Sequence, residues 1–157
     1  MASRAGLDWV VKRLARTALL EVSAEVAYAV VAEVARYPEF LPGCESVTVL
    51  ETTPAGLVAE VRVVGKGIRE SFVTANVHRP PESITMSLQS GPFECLEGKW
   101  VFTSIGEIGC KIELQVEYLP KGMVARLLSG LADHVANQLV DAFVARINQQ
   151  YMQAQGG

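Results

Sequence analysis

Residues 110–118 read Cys-Lys-Ile-Glu-Leu-Gln-Val-Glu-Tyr, and apolar and polar side chains alternate along the whole stretch. A period of two is typical of a β-strand with one buried and one solvated face. The same pattern occurs at residues 57–64 and 84–89. Turn signals divide residues 44–118 into about six strands; they lie at residues 54–56, 65–67, 80–81, 91–92 and 106–109. This region therefore predicts an antiparallel sheet.

Helical patterns flank the predicted strands. A first strand at residues 15–22 precedes Ser23, which is placed to cap a helix over residues 24–36. Residues 123–152 predict one helix of about 45 Å, and its apolar seam comprises Val124, Leu127, Leu128, Leu131, Val135, Leu139, Ala142, Phe143 and Ile147. Such a helix must cover the apolar face of the sheet. The fold class is therefore α+β.

The apolar content is high for one domain. The 157 residues are 50% hydrophobic, with a mean hydropathy of +0.24, yet no apolar run approaches the ~20 residues of a membrane-spanning helix. The excess must lie in a core, a cavity, an interface or a surface-binding face. We predict a single domain at residues 15–152, an N-terminal extension at residues 1–14 and a tail at residues 153–157.

Few residues suggest chemistry. The three cysteines lack disulfide or zinc spacing, which fits a cytoplasmic protein. We expect His78 at a solvated turn and His134 partly buried beside the last helix seam. Gly65-Lys66-Gly67 lacks a following helix, so it predicts a hairpin turn rather than a phosphate site. A net charge of −3 disfavours DNA binding. We therefore expect no enzyme activity, metal or cofactor.

Three segments together carry a family resemblance. They are residues 15–20 (ARTALL), residues 37–44 (YPEFLPGC), and Gly91-Pro92-Phe93 followed by Leu96, Gly98, Trp100 and Phe102. In this order they resemble the coenzyme-Q-binding START-domain proteins, which group with bacterial ribosome-association toxins in the helix-grip superfamily of polyketide cyclases. The resemblance covers about residues 14–152. It implies a curved antiparallel sheet of about seven strands wrapped around the C-terminal helix, with a hydrophobic tunnel between them.

The resemblance also implies binding of ubiquinone or a related polyprenyl lipid in support of respiratory electron transfer. Gly98 lies on the face of Trp100 and Phe102, where its missing side chain either opens a pocket or marks a bulge. The predicted lining comes from the loop, the sheet and the helix: Phe40, Leu41, Phe72, Met86, Leu88, Trp100, Phe102, Leu127, Leu131 and Val135. Each of these residues is also compatible with an ordinary core.

Other roles remain open at this stage. The resemblance includes members that bind the large ribosomal subunit and block subunit joining, for which Arg62, Lys66, Arg69 and Lys99 are candidate contacts to RNA phosphates. A polyketide cyclase is a third alternative, by analogy only. Leu7, Trp9 and Lys12 in the extension predict either a dispensable leader or an amphipathic segment at the inner membrane surface. Alanines outside the last helix seam are either plain helix formers or a second apolar face.

Overall fold

The computed structural model describes residues 11–156, and the side chains of residues 11–153. Seven strands form one sheet: β1 Lys12–Leu20, β2 Cys44–Thr53, β3 Gly56–Gly65, β4 Ile68–Arg79, β5 Ser83–Ser90, β6 Phe93–Ile105 and β7 Gly109–Pro120. The helices are α1 Ala24–Ala32, a 3-10 helix Val34–Glu39, α2 Gly122–Leu128 and α3 Ala132–Gly156. The α+β fold class and the count of seven strands are confirmed. Leu7 and Trp9 of the predicted leader lie outside the described residues.

All neighbouring strands are antiparallel, and their order is β1-β7-β6-β5-β4-β3-β2. The first strand therefore pairs with the last, with Lys12 opposite Tyr118 and Leu20 opposite Cys110. β1 begins three residues before the predicted start, because its ladder to β7 continues to Lys12, opposite Tyr118. Residues 12–14, assigned to the extension from the sequence, thus belong to the sheet. Across residues 11–156, we find no helix with the length and hydropathy to cross a membrane.

The hairpin between β3 and β4 has the two-residue turn that the glycines predict. Gly65 pairs with Ile68, and the two residues between them, Lys66 and Gly67, have φ of 50° and 79°. Positive φ at both central positions is typical of a turn whose twist matches the flanking strands. Residues 65–67 therefore form a hairpin turn, as predicted.

The first helix is capped as predicted but is shorter than predicted. The side chain of Ser23 accepts a hydrogen bond of 3.2 Å from the backbone N–H of Val26. The α-helix ends at Ala32, and a 3-10 helix takes over four residues before Pro38. A proline has no N–H for the helical ladder and its ring crowds the preceding turn, so the predicted continuation to Arg36 was wrong.

The predicted single C-terminal helix is two helices. Ser129, Gly130 and Leu131 separate α2 from α3, and Gly130 adopts a φ of 74° that an α-helix does not contain. The most buried residues of α3 are Ala136, Val140, Phe143 and Ile147. Phe143 and Ile147 belong to the predicted seam, whereas Ala136 and Val140 do not, so the buried face of α3 is shifted from the predicted one.

The core lies where α1 and α3 cover the inner face of the sheet. Ala27 and Val31 of α1 and Ile147 of α3 are almost completely buried, and Ile112 of β7 packs with them. The side chains of these helices do not fill all the space against the inner face of β3–β6. That gap is the cavity described below.

Candidate functional site

An internal cavity of about 300 Å³ separates the sheet from the 3-10 helix and α3. This volume is twice that of an engineered apolar cavity that binds benzene, about 150 Å³. It therefore has room for a substituted ring and a short chain. Nineteen residues line it: Val34, Tyr37, Leu41, Pro42, Cys44, Ala59, Val61, Val63, Phe72, Thr74, Asn76, Met86, Leu96, Gly98, Trp100, Leu114, Val116, Leu139 and Phe143. None carries a formal charge.

Strand register explains how one face supplies most of this wall. Asn76 lies opposite Met86, Met86 opposite Gly98, and Gly98 opposite Val116, so one row of inward-facing positions crosses four strands. A Cβ atom on Gly98 would lie 2.6 Å from the terminal methyl of Met86. The glycine thus makes room for the Met86 side chain, and both residues line the cavity.

Four of the ten predicted lining residues contribute to the cavity: Leu41, Phe72, Met86 and Trp100. Phe102 lies in the core instead, 5.2 Å from the Tyr28 ring centre, and Leu88 lies opposite Thr74 without lining the cavity. Phe40 packs outside the cavity, with its ring centre 5.4 Å from that of Phe143.

The predicted helix contribution was wrong. Leu127, Leu131 and Val135 do not line the cavity, whereas Leu139 and Phe143 do. Leu127 belongs to α2 and Leu131 to the break before α3, and Val135 lies one turn before Leu139. The cavity therefore meets the middle of α3 rather than its first turn.

The proline-bracketed loop is folded onto α1 and β3 by its own residues. The Tyr37 hydroxyl donates to the carbonyl of Val31, and burial raises the pKa of Tyr37 so that it remains a donor. The carbonyl of Gly43 accepts a hydrogen bond of 2.8 Å from the N–H of Val64, and Gly43 has a φ of 79°. Leu41 and Pro42 between these anchors border the cavity, and Pro42 is also exposed. Since Pro42 is the only exposed residue among the nineteen in the cavity wall, we infer that the cavity opens beside this loop.

A close approach to Phe72 explains why a glycine stands at position 91 of the Gly-Pro-Phe segment. Gly91 has a φ of 151°, and a Cβ there would lie 2.5 Å from Cβ of Phe72. Phe93 then meets the same ring edge-on, with 6.3 Å between ring centres. This segment therefore holds the cavity residue Phe72 in place.

Arg146 of α3 ties the loop to the helix. Its guanidinium lies 2.6 Å from a carboxylate oxygen of Glu39 and 5.1 Å from the centre of the Phe40 ring. The side chain is only 13% exposed. The residues flanking the cavity opening are thus fixed by one cation, which the sequence reasoning missed.

Thr74 and Asn76 supply polar groups inside the apolar wall. Each is 6% exposed, and the Thr74 hydroxyl donates a hydrogen bond of 3.0 Å to Oδ1 of Asn76. The sequence reasoning missed this pair, although both residues share the inward parity of Phe72 in β4. That parity was the available signal.

The remaining candidate reactive side chains are dispersed. His78 is half-buried rather than at a solvated turn, because its ring packs edge-on to Tyr28 of α1, and burial lowers its pKa. His134 is exposed on α3, not partly buried, since it is two residues before the buried Ala136 and therefore lies on the opposite face of the helix. Neither histidine lines the cavity. Within residues 11–156, no cluster of three or more His, Cys, Asp or Glu side chains is arranged to hold a metal ion.

The four basic residues suggested for RNA contact do not form one patch. Lys66 lies in the β3–β4 turn, close to Arg69, which is 3.7 Å from Glu45. Lys99 lies opposite Thr85, which lies opposite Val77, whereas Arg62 lies opposite Ser71. Ser71 and Val77 are six residues apart on β4, so Arg62 and Lys99 lie about 20 Å apart along the strand direction. Only Arg62, Lys66 and Arg69 are neighbours.

Comparison with known proteins places this geometry in a family. Residues 20–144 match the family described as polyketide cyclase/dehydrase and lipid transport. The chain is 43% identical over 141 residues to the ribosome association toxin RatA of Vibrio cholerae, covering 89% of this chain and 98% of that protein.

Two solved structures show the same fold. The aromatase/cyclase ZhuI of Streptomyces sp. R1128 superposes with a TM-score of 0.80 at 14% identity, covering 90% of this chain and 96% of that one. A START superfamily protein of Mycobacterium smegmatis gives 0.75 at 22% identity, covering 88% and 98%. The helix-grip, START-like architecture is thus confirmed.

Proposed function

Because this chain belongs to the polyketide cyclase/dehydrase and lipid transport family, we propose that it binds a neutral hydrophobic ligand in the cavity without transforming it. The ligand we propose is ubiquinone or a related polyprenyl lipid, held in support of respiratory electron transfer. The observation that supports this proposal is a cavity of about 300 Å³ lined by nineteen residues without a formal charge.

Burial supplies the affinity. About 200 Å² of ligand apolar surface removed from water contributes about 5 kcal/mol. The volume accommodates a head and the first part of a chain, so a long prenyl tail must leave through the opening beside Leu41 and Pro42. Such a tail would need a second apolar environment, and peripheral contact with a membrane would provide it.

The test pairs a substitution in α3 with one in the break that precedes it. Leu139→Trp adds a large side chain to the cavity wall, whereas Leu131→Trp places the same side chain outside it. Protein purified from quinone-containing cells is extracted with organic solvent and the lipid identified by mass spectrometry. We expect quinone with wild type and Leu131→Trp, and at least a tenfold loss with Leu139→Trp. Wild-type protein without extractable lipid, or equal lipid in both variants, would contradict the proposal.

A second candidate function is ribosome association in the cytoplasm. The specific support is the 43% identity, over nearly the whole chain, to a protein named ribosome association toxin. Phosphate contacts would come from Arg62, Lys66 and Arg69 at the β3–β4 hairpin, since Lys99 lies about 20 Å away along the strands.

Co-sedimentation with the large ribosomal subunit tests this candidate. If phosphate contacts dominate, binding weakens steeply with added salt. Lys66→Glu together with Arg69→Glu should abolish co-sedimentation, while the single variant Lys99→Glu should retain it. Equal co-sedimentation of both variants would exclude the hairpin, and no co-sedimentation of wild type at low salt would exclude the function.

A further inference from the structure

The Thr74–Asn76 pair lies inside the cavity, away from the loop beside its opening. Cys44, which follows the loop, pairs with Val63 of β3, whereas Thr74 pairs with Ala59 and Asn76 with Leu57. Four to six residues along β3 therefore separate the loop from the pair, which corresponds to about 13–20 Å.

Core residues close the cavity wall beyond this pair on β4 and β5. The next inward positions are His78 and Ile84, which lie opposite each other, and Ile84 is 2% exposed. The same row continues with Trp100 and Leu114 on β6 and β7, and both still line the cavity. Asn76 is therefore the innermost lining residue of β4 for a ligand that enters beside the loop.

The pair has donors to spare but no charge. The Thr74 hydroxyl uses its proton on Oδ1 of Asn76, which leaves the two N–H donors of the Asn76 amide outside this bond. An oxygen acceptor on a ligand would satisfy them. A carboxylate or phosphate at the same depth would be a buried charge without a countercharge among the nineteen lining residues, which is costly.

We propose, on the basis of the function proposed above, that the cavity takes its ligand head first. A neutral oxygen acceptor of the head, such as a ring carbonyl, accepts a hydrogen bond from Nδ2 of Asn76. The apolar tail points back toward Leu41 and Pro42. Asn76 is thus the specificity-determining residue, and Thr74 is a positioning residue that fixes the orientation of its amide.

Two probes of nearly equal shape test the orientation. Trimethyl(pentyl)benzoquinone carries two ring carbonyls and no free ring position for a thiol to attack, and trimethyl(pentyl)benzene is its carbonyl-free counterpart. Calorimetric titrations use the full chain as wild type, Asn76→Leu and Thr74→Val. Thr85→Val serves as the matched control, because Thr85 lies on β5 outside the cavity wall. Hexanoate is the anionic probe.

The proposal predicts that wild type binds the quinone about tenfold more tightly than the benzene, the fold-change of one hydrogen bond in an apolar site. Asn76→Leu should weaken quinone binding alone and so remove the preference for the quinone over the benzene. Thr74→Val should reduce that preference, and the control Thr85→Val should retain it. Hexanoate should not bind wild type.

A measurement on wild type decides the question if Asn76→Leu does not fold. The side-chain amide resonances of Asn76 should shift when the quinone is added and stay in place when the benzene is added. Equal affinities for the two probes, or an amide that does not respond to the quinone, would overturn the head-first orientation while leaving ligand binding intact. Wild type that binds neither probe would overturn the proposed function and, with it, this inference.

Discussion

Arg146 reaches from the middle of α3 to Glu39 in the 3-10 helix, 107 positions earlier in the chain, with a nitrogen–oxygen distance of 2.6 Å. The same guanidinium covers the face of Phe40. One side chain thus joins the final helix to the loop that borders the cavity opening. A charged pair combined with a cation–π contact contributes more than an exposed surface pair.

We expect Arg146→Met to lower the free energy of unfolding by about 1–2 kcal/mol and to speed ligand release, because the loop loses its tie to α3. The measurements are urea unfolding and stopped-flow release of the bound probe. Arg13→Met is the control: Arg13 pairs with Glu117 at 3.0 Å but is 61% exposed, so we expect a change below about 0.5 kcal/mol. Equal effects of the two substitutions would contradict the role of Arg146.

The thiols report on cavity occupancy. Cys44 lines the cavity near its opening, whereas Cys95 is half-buried outside it. Burial raises the pKa of both thiols, so alkylation requires alkaline pH. We expect saturating trimethyl(pentyl)benzene to slow alkylation of Cys44 severalfold and to leave Cys95 unchanged, as followed by peptide mass spectrometry. Equal protection of both thiols would point to a global change instead of occupancy.

The break between α2 and α3 depends on a left-handed residue. Gly130 has a φ of 74° and open space around its Cα, so Gly130→Ala introduces backbone strain without a clash. We expect a loss of about 1 kcal/mol in the free energy of unfolding. Gly65→Ala is the matched control, because a Cβ there also meets nothing and its backbone is not left-handed. A Gly130→Ala variant as stable as Gly65→Ala would show that α2 and α3 join without cost.

Burial of His78 makes stability depend on pH. Because burial lowers its pKa below the ordinary 6.5, the unfolded chain binds the proton more readily than the folded one. The contribution of His78 is therefore complete above about pH 6.5 and is lost as the pH falls through the lower folded pKa. Urea unfolding of wild type should give a smaller free energy at pH 5.5 than at pH 7.5. His78→Phe should show a smaller decrease, and parallel pH profiles would contradict the assignment.

The sheet could be predicted from the sequence because the alternation of apolar and polar residues along a strand indicates which side chains are buried. The parity of residues 110–118 needs no knowledge of any partner, and the capping role of Ser23 is equally local. The family segments likewise have local causes, such as the close approach of Gly91 to Phe72. Such features are determined by neighbours in sequence or in register.

The helical wall of the cavity could not be predicted in the same way. A helix tolerates one glycine at a cost of about 1 kcal/mol, so the pattern around Gly130 is compatible with both a continuous and a broken helix. Leu131 and Leu139 belong to the same predicted seam, so the choice between them depends on where α3 crosses the sheet, which tertiary packing sets. The parity of Thr74 and Asn76 was the available signal, but two neutral polar residues do not form a catalytic motif, so the pair was not predicted.

Pairing of β1 with β7 imposes an order on folding during synthesis. Lys12 leaves the ribosome early, yet its partner Tyr118 is made 106 residues later. At about 5–20 residues per second, the first strand waits about 5–20 s for its hydrogen-bond partner. During this interval the edge of β1 that later joins β7 has no native strand beside it. Pairing of β1 with β7 is therefore a late, long-range step in folding, and until then β1 is a strand with an unpaired edge.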